Sequence, residues 1–390
     1  MIGCASYCAT RNFRSPPDAR LSAADLLLLR ELAAAPRPTG TPAAAVARER
    51  CAQELRELGY VVTERPFSYS SLPGRFGTPV FGAAGAMLVG YAALWALNGQ
   101  RFTPIAVLVA GIAAIVAAAR WLTRTGVLTV PLLRATGVNL EAAKAGETPT
   151  VWLCAHVDSK SQPVPTLVRS AGLVLEASGL VMACVLGVVL ASGAAVHDFY
   201  WAFAGAVTLA GAVPVVLSMT GTVSPGALDN ASGVATIIAA ARQLGDARGV
   251  GVLITDAEEL GLAGARAWSR GRTNAAARTA VLNCDGVDDH GEIAVMRSGP
   301  LPERLGRALR SAVVPGSAVA IGPHFPGVLT DAVAFADAGL DAVTVSRGSP
   351  RSFLRVHSRR DDLRRLRGDG IAPTADFIAA TARNLVGGGI

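Results

Sequence analysis

The chain has 390 residues, 51% of them hydrophobic and only 17% charged, with a mean hydropathy of +0.40. That balance lies well to the apolar side of an ordinary soluble domain, so part of the chain is expected in lipid. The net charge of +7 is modest and scattered, which suits membrane-flanking basic residues and argues against a nucleic-acid surface.

In chain order, Met1–Arg20 carries Arg11, Arg14, Asp18 and Arg20 around a short polar sequence. It has no apolar core, so it reads as a disordered start that stays in the cytoplasm and not as a secretory signal. Leu21–Ala35 and Thr41–Leu58 have apolar positions at helical spacing, and Gly59 stands where a helix C-terminal glycine belongs. Tyr60–Tyr69 then alternates like a strand.

Four stretches are long enough to cross a hydrocarbon core, which takes roughly 20 apolar residues in a helix. They are Pro79–Asn98, Phe102–Ala119, Ala171–Val196 and Phe199–Thr220, and Glu176 is the single acidic or basic residue among them. Short connections around Gln100 and Asp198 make two hairpins, 79–122 and 168–221, each returning to its starting side. The segment between the hairpins carries Arg124, Arg134, Lys144, Lys160 and Arg169, against only Arg101 in the far-side connections. This asymmetry predicts a multi-pass membrane protein with the bulk of the chain in the cytoplasm. The six cysteines, Cys4, Cys8, Cys51, Cys154, Cys184 and Cys284, form no spaced framework and are expected to be reduced thiols.

From Thr150 onward, apolar strands alternate with amphipathic helices. The expected strands are Thr150–Ala155, Val250–Thr255, Ala280–Cys284, Glu292–Met296 and Ala342–Ser346. The expected helices are Ala231–Leu244, Leu262–Ser269, Leu301–Ser311, Asp331–Ala338 and Pro373–Leu385. This is an α/β plan with a mixed, largely parallel central sheet, built from pieces 21–78, 123–167 and 222–390 around the two inserted hairpins.

In such a sheet ligands gather at the carboxyl ends of strands, so the polar residues there are the ones to weigh. The first strand ends in His156-Val157-Asp158, a spacing that suits a metal-bound imidazole oriented by a carboxylate, or simply a loop histidine. Asp229 and Asn230 precede a helix start, where an ordinary N-cap would equally place them. The strand Val250–Thr255 runs into Glu258-Glu259, a pair that can divide into a metal ligand and a free base or can lie on a solvated face. Asp285 ends a further strand, and His357 is followed by Asp361. Two histidines, two aspartates and one glutamate can supply two zinc ions with nitrogen and oxygen ligands, and an extra glutamate can supply a base.

The segments AHVDS (155–159), PGALDNASGVA (225–235), TDAEELGLAGA (255–265), NCD (283–285) and HSRRD (357–361) resemble metallopeptidase family 28, the leucyl-aminopeptidase-like exopeptidases, in the same order. RPTGTP (37–42), with the helix, glycine and strand after it, is similar to that family's N-terminal segment. The resemblance covers essentially the whole chain outside the four apolar stretches. It implies the zinc-exopeptidase fold and two zinc ions bridged by Asp229, with His156 and Asp285 completing one site and Glu259 and His357 the other. Glu258 would be the general base of peptide hydrolysis, and Asp158 the carboxylate behind His156. The chain departs from the family in two places: Ala332 stands where a histidine follows Ser-Asp, and Val356 where many relatives have a tyrosine before the last histidine.

The leading expectation is an aminopeptidase acting on a peptide substrate. Arg347, Arg351, Arg355, Arg359 and Arg360 lie near His357 in sequence, and guanidinium groups there would instead suit the substrate carboxylate of a carboxypeptidase or dipeptidase. The same arginines would also suit a solvated basic patch at a membrane. A glutaminyl cyclase of the family is disfavoured by the complete acidic set. A catalytically silent membrane receptor or scaffold is disfavoured by the retained Glu258.

Overall fold

The computed structural model describes residues 21–272, 279–314, 318–324 and 328–387; the expected disordered start, with Cys4 and Cys8, lies outside them. The first helix, α1 (Ala23–Leu32), is capped by Ser22 Oγ, which accepts from the Asp25 N–H. Helix α2 (Pro42–Glu57) is capped by Thr41 Oγ1, which accepts from the Ala44 N–H, and Pro42 fills its first position. Strand β1 (Val61–Ser70) follows.

Two long apolar helices come next, α3 (Leu72–Leu97) and α4 (Thr103–Trp121), then a π-helical turn at Leu122–Gly126 and the short α5 (Val127–Thr129). Strands β2 (Arg134–Ala143) and β3 (Val151–His156) lead into a second apolar pair, α6 (Thr166–Ala191) and α7 (Asp198–Val216). An irregular turn at Ala227–Ser232, non-helical at Asp229 and Asn230, leads into α8 (Gly233–Leu244), followed by β4 (Val250–Thr255), α9 (Ala263–Ser269) and β5 (Ala280–Val287). The chain closes with β6 (Glu292–Arg297), α10 (Glu303–Ser311), β7 (Val319–Pro323), α11 (Asp331–Asp337), β8 (Asp341–Gly348) and α12 (Ile371–Gly387).

The eight strands form one sheet in the order β1-β2-β4-β3-β5-β8-β6-β7. Its centre, β4-β3-β5-β8, is parallel, while β1, β2 and β6 join antiparallel. Strands β3 and β4 are buried along their whole length, which explains their unbroken apolar sequences. Strand β2 was not expected, because RATGVNLEAA shows no clean alternation; it is recruited by its ten-residue pairing with β1. Strand β7 was likewise not expected, and it adds an edge by pairing with β6.

The two apolar pairs pack together as a bundle beside the sheet domain, and all four helices are long and apolar enough to cross a membrane. The boundaries differ from the apolar runs: α3 starts at Leu72 and α6 at Thr166, several residues earlier, because each helix continues into the polar domain. Inside the bundle, Gly211 lets α7 approach α6, since a Cβ there would collide with the backbone of Glu176. The outward faces carry Met87, Val109, Val181, Val185, Phe203 and Leu209, all exposed. The bundle joins the domain tightly at Gly74 of α3, where an added Cβ would strike the backbone of Leu260.

Candidate metal centre

Neighbouring strand ends bring the expected residues together. In the parallel register His156 of β3 lies beside Thr255 of β4, and Cys154 beside Asn283 of β5. Hence His156, the Glu258-Glu259 turn after β4 and Asp285 of β5 share one edge. Asp285 stands where the β5–β8 register shifts between Cys284 and Val287, so the strand bends and the carboxylate leaves the ladder. His357 arrives on the loop after β8, and Asp229 on the non-helical turn before α8.

The Asp229 carboxylate lies between the two histidines. Its Oδ1 is 3.2 Å from His156 Nε2 and its Oδ2 is 2.9 Å from His357 Nε2. A second carboxylate flanks each histidine: Asp285 Oδ1 lies 3.7 Å from His156 Nε2, and Glu259 Oε1 lies 3.3 Å from His357 Nε2. Two three-residue donor groups result, His156–Asp229–Asp285 and Asp229–Glu259–His357, each compact enough for one metal ion. His156 Nε2 is buried with no hydrogen-bond partner while three carboxylates surround it. That orphaned nitrogen, in a nitrogen-and-oxygen donor set, fits zinc.

Loop strain concentrates here. Ala257, Leu262 and His357 adopt left-handed φ values of 57°, 59° and 62°, unusual for residues with a Cβ. Gly226, at φ 62°, opens the Asp229 turn, where a Cβ would press on Asp229 O and Ser159. Glu258, 6% exposed, is 4.0 Å from His156 Nε2.

Electrostatics separates the two adjacent glutamates. Burial pushes the Glu258 carboxyl well above the usual carboxylate range; His156 opposes this, and the charges of Glu259, Asp285 and Asp331 add to it. Burial would also raise Glu259, but the ammonium of Lys160, 2.5 Å from its Oε2, and His357 hold it at about 2. Burial would raise Asp229 too, yet the imidazoles of His156 and His357 beside it keep it well below its ordinary value. The pair of glutamates therefore divides into one carboxylate kept ionised and one whose pKa is raised by burial.

Asp158 is placed differently from the simplest reading of its spacing. His156 Nδ1 is paired with the main-chain carbonyl of Asp158 at 3.1 Å, while the carboxylate is 3.6 Å away. That carboxylate instead accepts the N–H groups of Glu258 and Glu259 at 3.1 and 3.2 Å.

Several supporting residues had no role assigned from the sequence, although Arg37 and Asp361 lie in the segments RPTGTP and HSRRD. Arg37, 2% exposed, donates to the carbonyls of Leu32, Val157, Pro225 and Gly226, tying the His156 loop to the Asp229 turn. Asp361 accepts from the N–H groups of Leu228 and Asp229 at 2.6 and 3.1 Å. Burial raises Asp361 to about 7, against the pull of those two bonds. Asp331 is fully buried and bonded to Thr255. Of the arginines near His357, Arg355 is bound to Asp288 at 2.6 Å, and Arg351, Arg359 and Arg360 are exposed.

Residues 213–382 match the model of peptidase family M28, a span that holds Asp229, Glu258, Glu259, Asp285 and His357. Over that span the chain is similar to peptidase family M28. Its fold is shared with solved structures of aminopeptidases and of a glutaminyl cyclase. A zinc aminopeptidase from Bacillus subtilis superposes with a TM-score of 0.54 at 15% identity, covering 96% of this chain and 95% of that one. An aminopeptidase from Aneurinibacillus sp. strain AM-1 gives 0.52 at 15% identity, covering 94% and 93%. A glutaminyl cyclase from Fimbriiglobus ruber also gives 0.52, at 14% identity over 97% and 99%. No curated protein sequence matches the chain.

Proposed function

We propose that the chain is a zinc-dependent aminopeptidase that hydrolyses N-terminal peptide bonds. One observation carries the reading: the Asp229 carboxylate offers one oxygen to each of two histidine nitrogens, at 3.2 and 2.9 Å, and each histidine has a second carboxylate beside it. Such a set suits two metal ions, with His156 and Asp285 holding one, Glu259 and His357 the other, and Asp229 shared. Zinc bound there would polarise the scissile carbonyl and lower the pKa of water. Glu258 takes the proton from the attacking water and delivers it to the leaving amine, a task that its raised pKa favours. Asp158 holds the turn that carries Glu258 and Glu259. With Val356 in place of a tyrosine, no phenol from that position stabilises the developing oxyanion.

The aminopeptidase names of the Bacillus and Aneurinibacillus structures support this reading over the carboxypeptidase one. So does the engagement of Arg355 with Asp288, which draws that arginine away from carboxylate recognition. The complete acidic set of the two donor groups favours a peptidase over a glutaminyl cyclase, and a metal count would separate them.

The four apolar helices are read as membrane spans, and the charge asymmetry between their connections supports a cytoplasmic α/β domain. Gly74 of α3 packs on Leu260, next to Glu259, so the catalytic edge faces the membrane surface and favours peptides that reside there.

The deciding experiment assays detergent-purified protein against one dipeptide amide, the free dipeptide and the N-acetyl dipeptide with a free carboxylate. Hydrolysis should require the free amine and tolerate the amide. Cleavage of the N-acetyl peptide with a free carboxylate alone would transfer the protein to the carboxypeptidase class.

A further inference from the structure

The two histidines at the metal centre are held from different parts of the molecule. His156 Nδ1 meets a main-chain carbonyl two residues away on its own loop. His357 Nδ1 instead meets Thr166 Oγ1 at 3.2 Å, and Thr166 is the first residue of the apolar helix α6.

A short relay fixes that contact. Arg169 Nη1 donates to Gln162 Oε1 at 2.9 Å. Because an arginine is only a donor, the Gln162 amide must present its oxygen to Arg169 and its nitrogen to the other side. That nitrogen donates to Thr166 Oγ1 at 3.0 Å, and the hydroxyl oxygen keeps a second lone pair that accepts the Nδ1 proton of His357 when Nε2 is the metal-bound nitrogen. An imidazole protonated on Nδ1 has its Nε2 lone pair free, and Nε2 is the atom that faces Asp229 and Glu259. Gln162 also secures the main chain, since its own N–H donates to the His357 carbonyl at 2.9 Å. The two ends of the α6–α7 hairpin are clasped by an antiparallel bridge between Ser161 and Gly221.

We propose that Thr166, aligned by Gln162 and Arg169, is a positioning residue that sets the tautomer and aim of His357, so that the α6–α7 hairpin tunes one of the two metal sites and is more than an anchor. The inference rests on the two-zinc reading. Partners of this kind behind a metal-bound histidine typically change metal affinity about 10–100-fold. His156 has no contact with α6 of this type, so the effect is confined to one site.

The test is a zinc titration of metal-stripped, detergent-purified protein against a competing chelator, resolving the two binding steps. Thr166→Val should weaken one step about 10–100-fold and leave the other within about twofold. Thr166→Ser, which keeps the hydroxyl, should restore it. Gln162→Leu should weaken the same step, and it reports independently if Thr166→Val fails to fold. Unchanged affinities in both Thr166→Val and Gln162→Leu, or equal weakening of both steps, would overturn the positioning role. Absence of zinc binding by the wild-type protein would overturn the underlying two-zinc reading instead.

Discussion

The main-chain N–H of Glu258 donates to Asp158 Oδ1 at 3.1 Å, joining residues 100 positions apart. The Glu259 N–H donates to the other oxygen of the same carboxylate at 3.2 Å. One buried aspartate therefore sets the backbone of both glutamates. Asp158→Asn keeps the shape but turns one acceptor into a donor facing an N–H. It should lower kcat at least tenfold and destabilise the fold by about 1–3 kcal/mol, the cost of an unsatisfied buried group. Parallel kinetics and thermal melts check this; wild-type kcat in the variant would refute the role given to Asp158.

Glu258 and Glu259 are expected to fail differently. Glu258→Gln should reduce hydrolysis by about 10²–10⁴-fold while metal content stays near wild type, because the side chain moves a proton and does not hold an ion. Elemental analysis beside the rate measurement separates these outcomes, and activity within a few-fold of normal contradicts the assignment.

The shared carboxylate predicts an unequal effect on stoichiometry. Asp229→Ala removes a donor from both groups, whereas His156→Ala and His357→Ala each remove one donor from one group. Bound zinc should fall from two ions to nearly none in the first variant, and to about one in each of the others. Loss of a single ion in Asp229→Ala would show that the carboxylate serves one site only.

Arg37 illustrates stability built into the site. Burial lowers its pKa to about 10, with Asp361 foremost among the charges opposing that shift. Arg37→Met strips donors from four carbonyls at once, and a loss of roughly 3 kcal/mol follows from leaving such groups unpaired. Denaturant titration measures it; a change below about 0.5 kcal/mol would mean that water replaces the guanidinium without penalty.

Which parts of this architecture could be read from the sequence follows from the range of the interactions involved. Strands β3, β4 and β5 announce themselves through apolar runs, and the polar residues at their ends are the ones the sheet gathers. Strand β2 is silent because its fate depends on pairing with β1 and β4, which no local pattern encodes. The contacts of Arg37 with Gly226 and of Thr166 with His357 span 189 and 191 residues, so neither residue could be singled out from its neighbours in sequence. The apolar runs located the four long helices but not their starts, because α3 and α6 begin inside the polar domain, where their first turns touch Leu260 and His357.

The most direct test of the central claim is to titrate zinc into metal-stripped protein while following hydrolysis of leucine p-nitroanilide. The donor geometry predicts that activity is absent without metal and reaches a plateau as the second equivalent binds, with the N-acetylated substrate untouched throughout. Full hydrolysis by metal-free protein, or none at any zinc concentration, would contradict it.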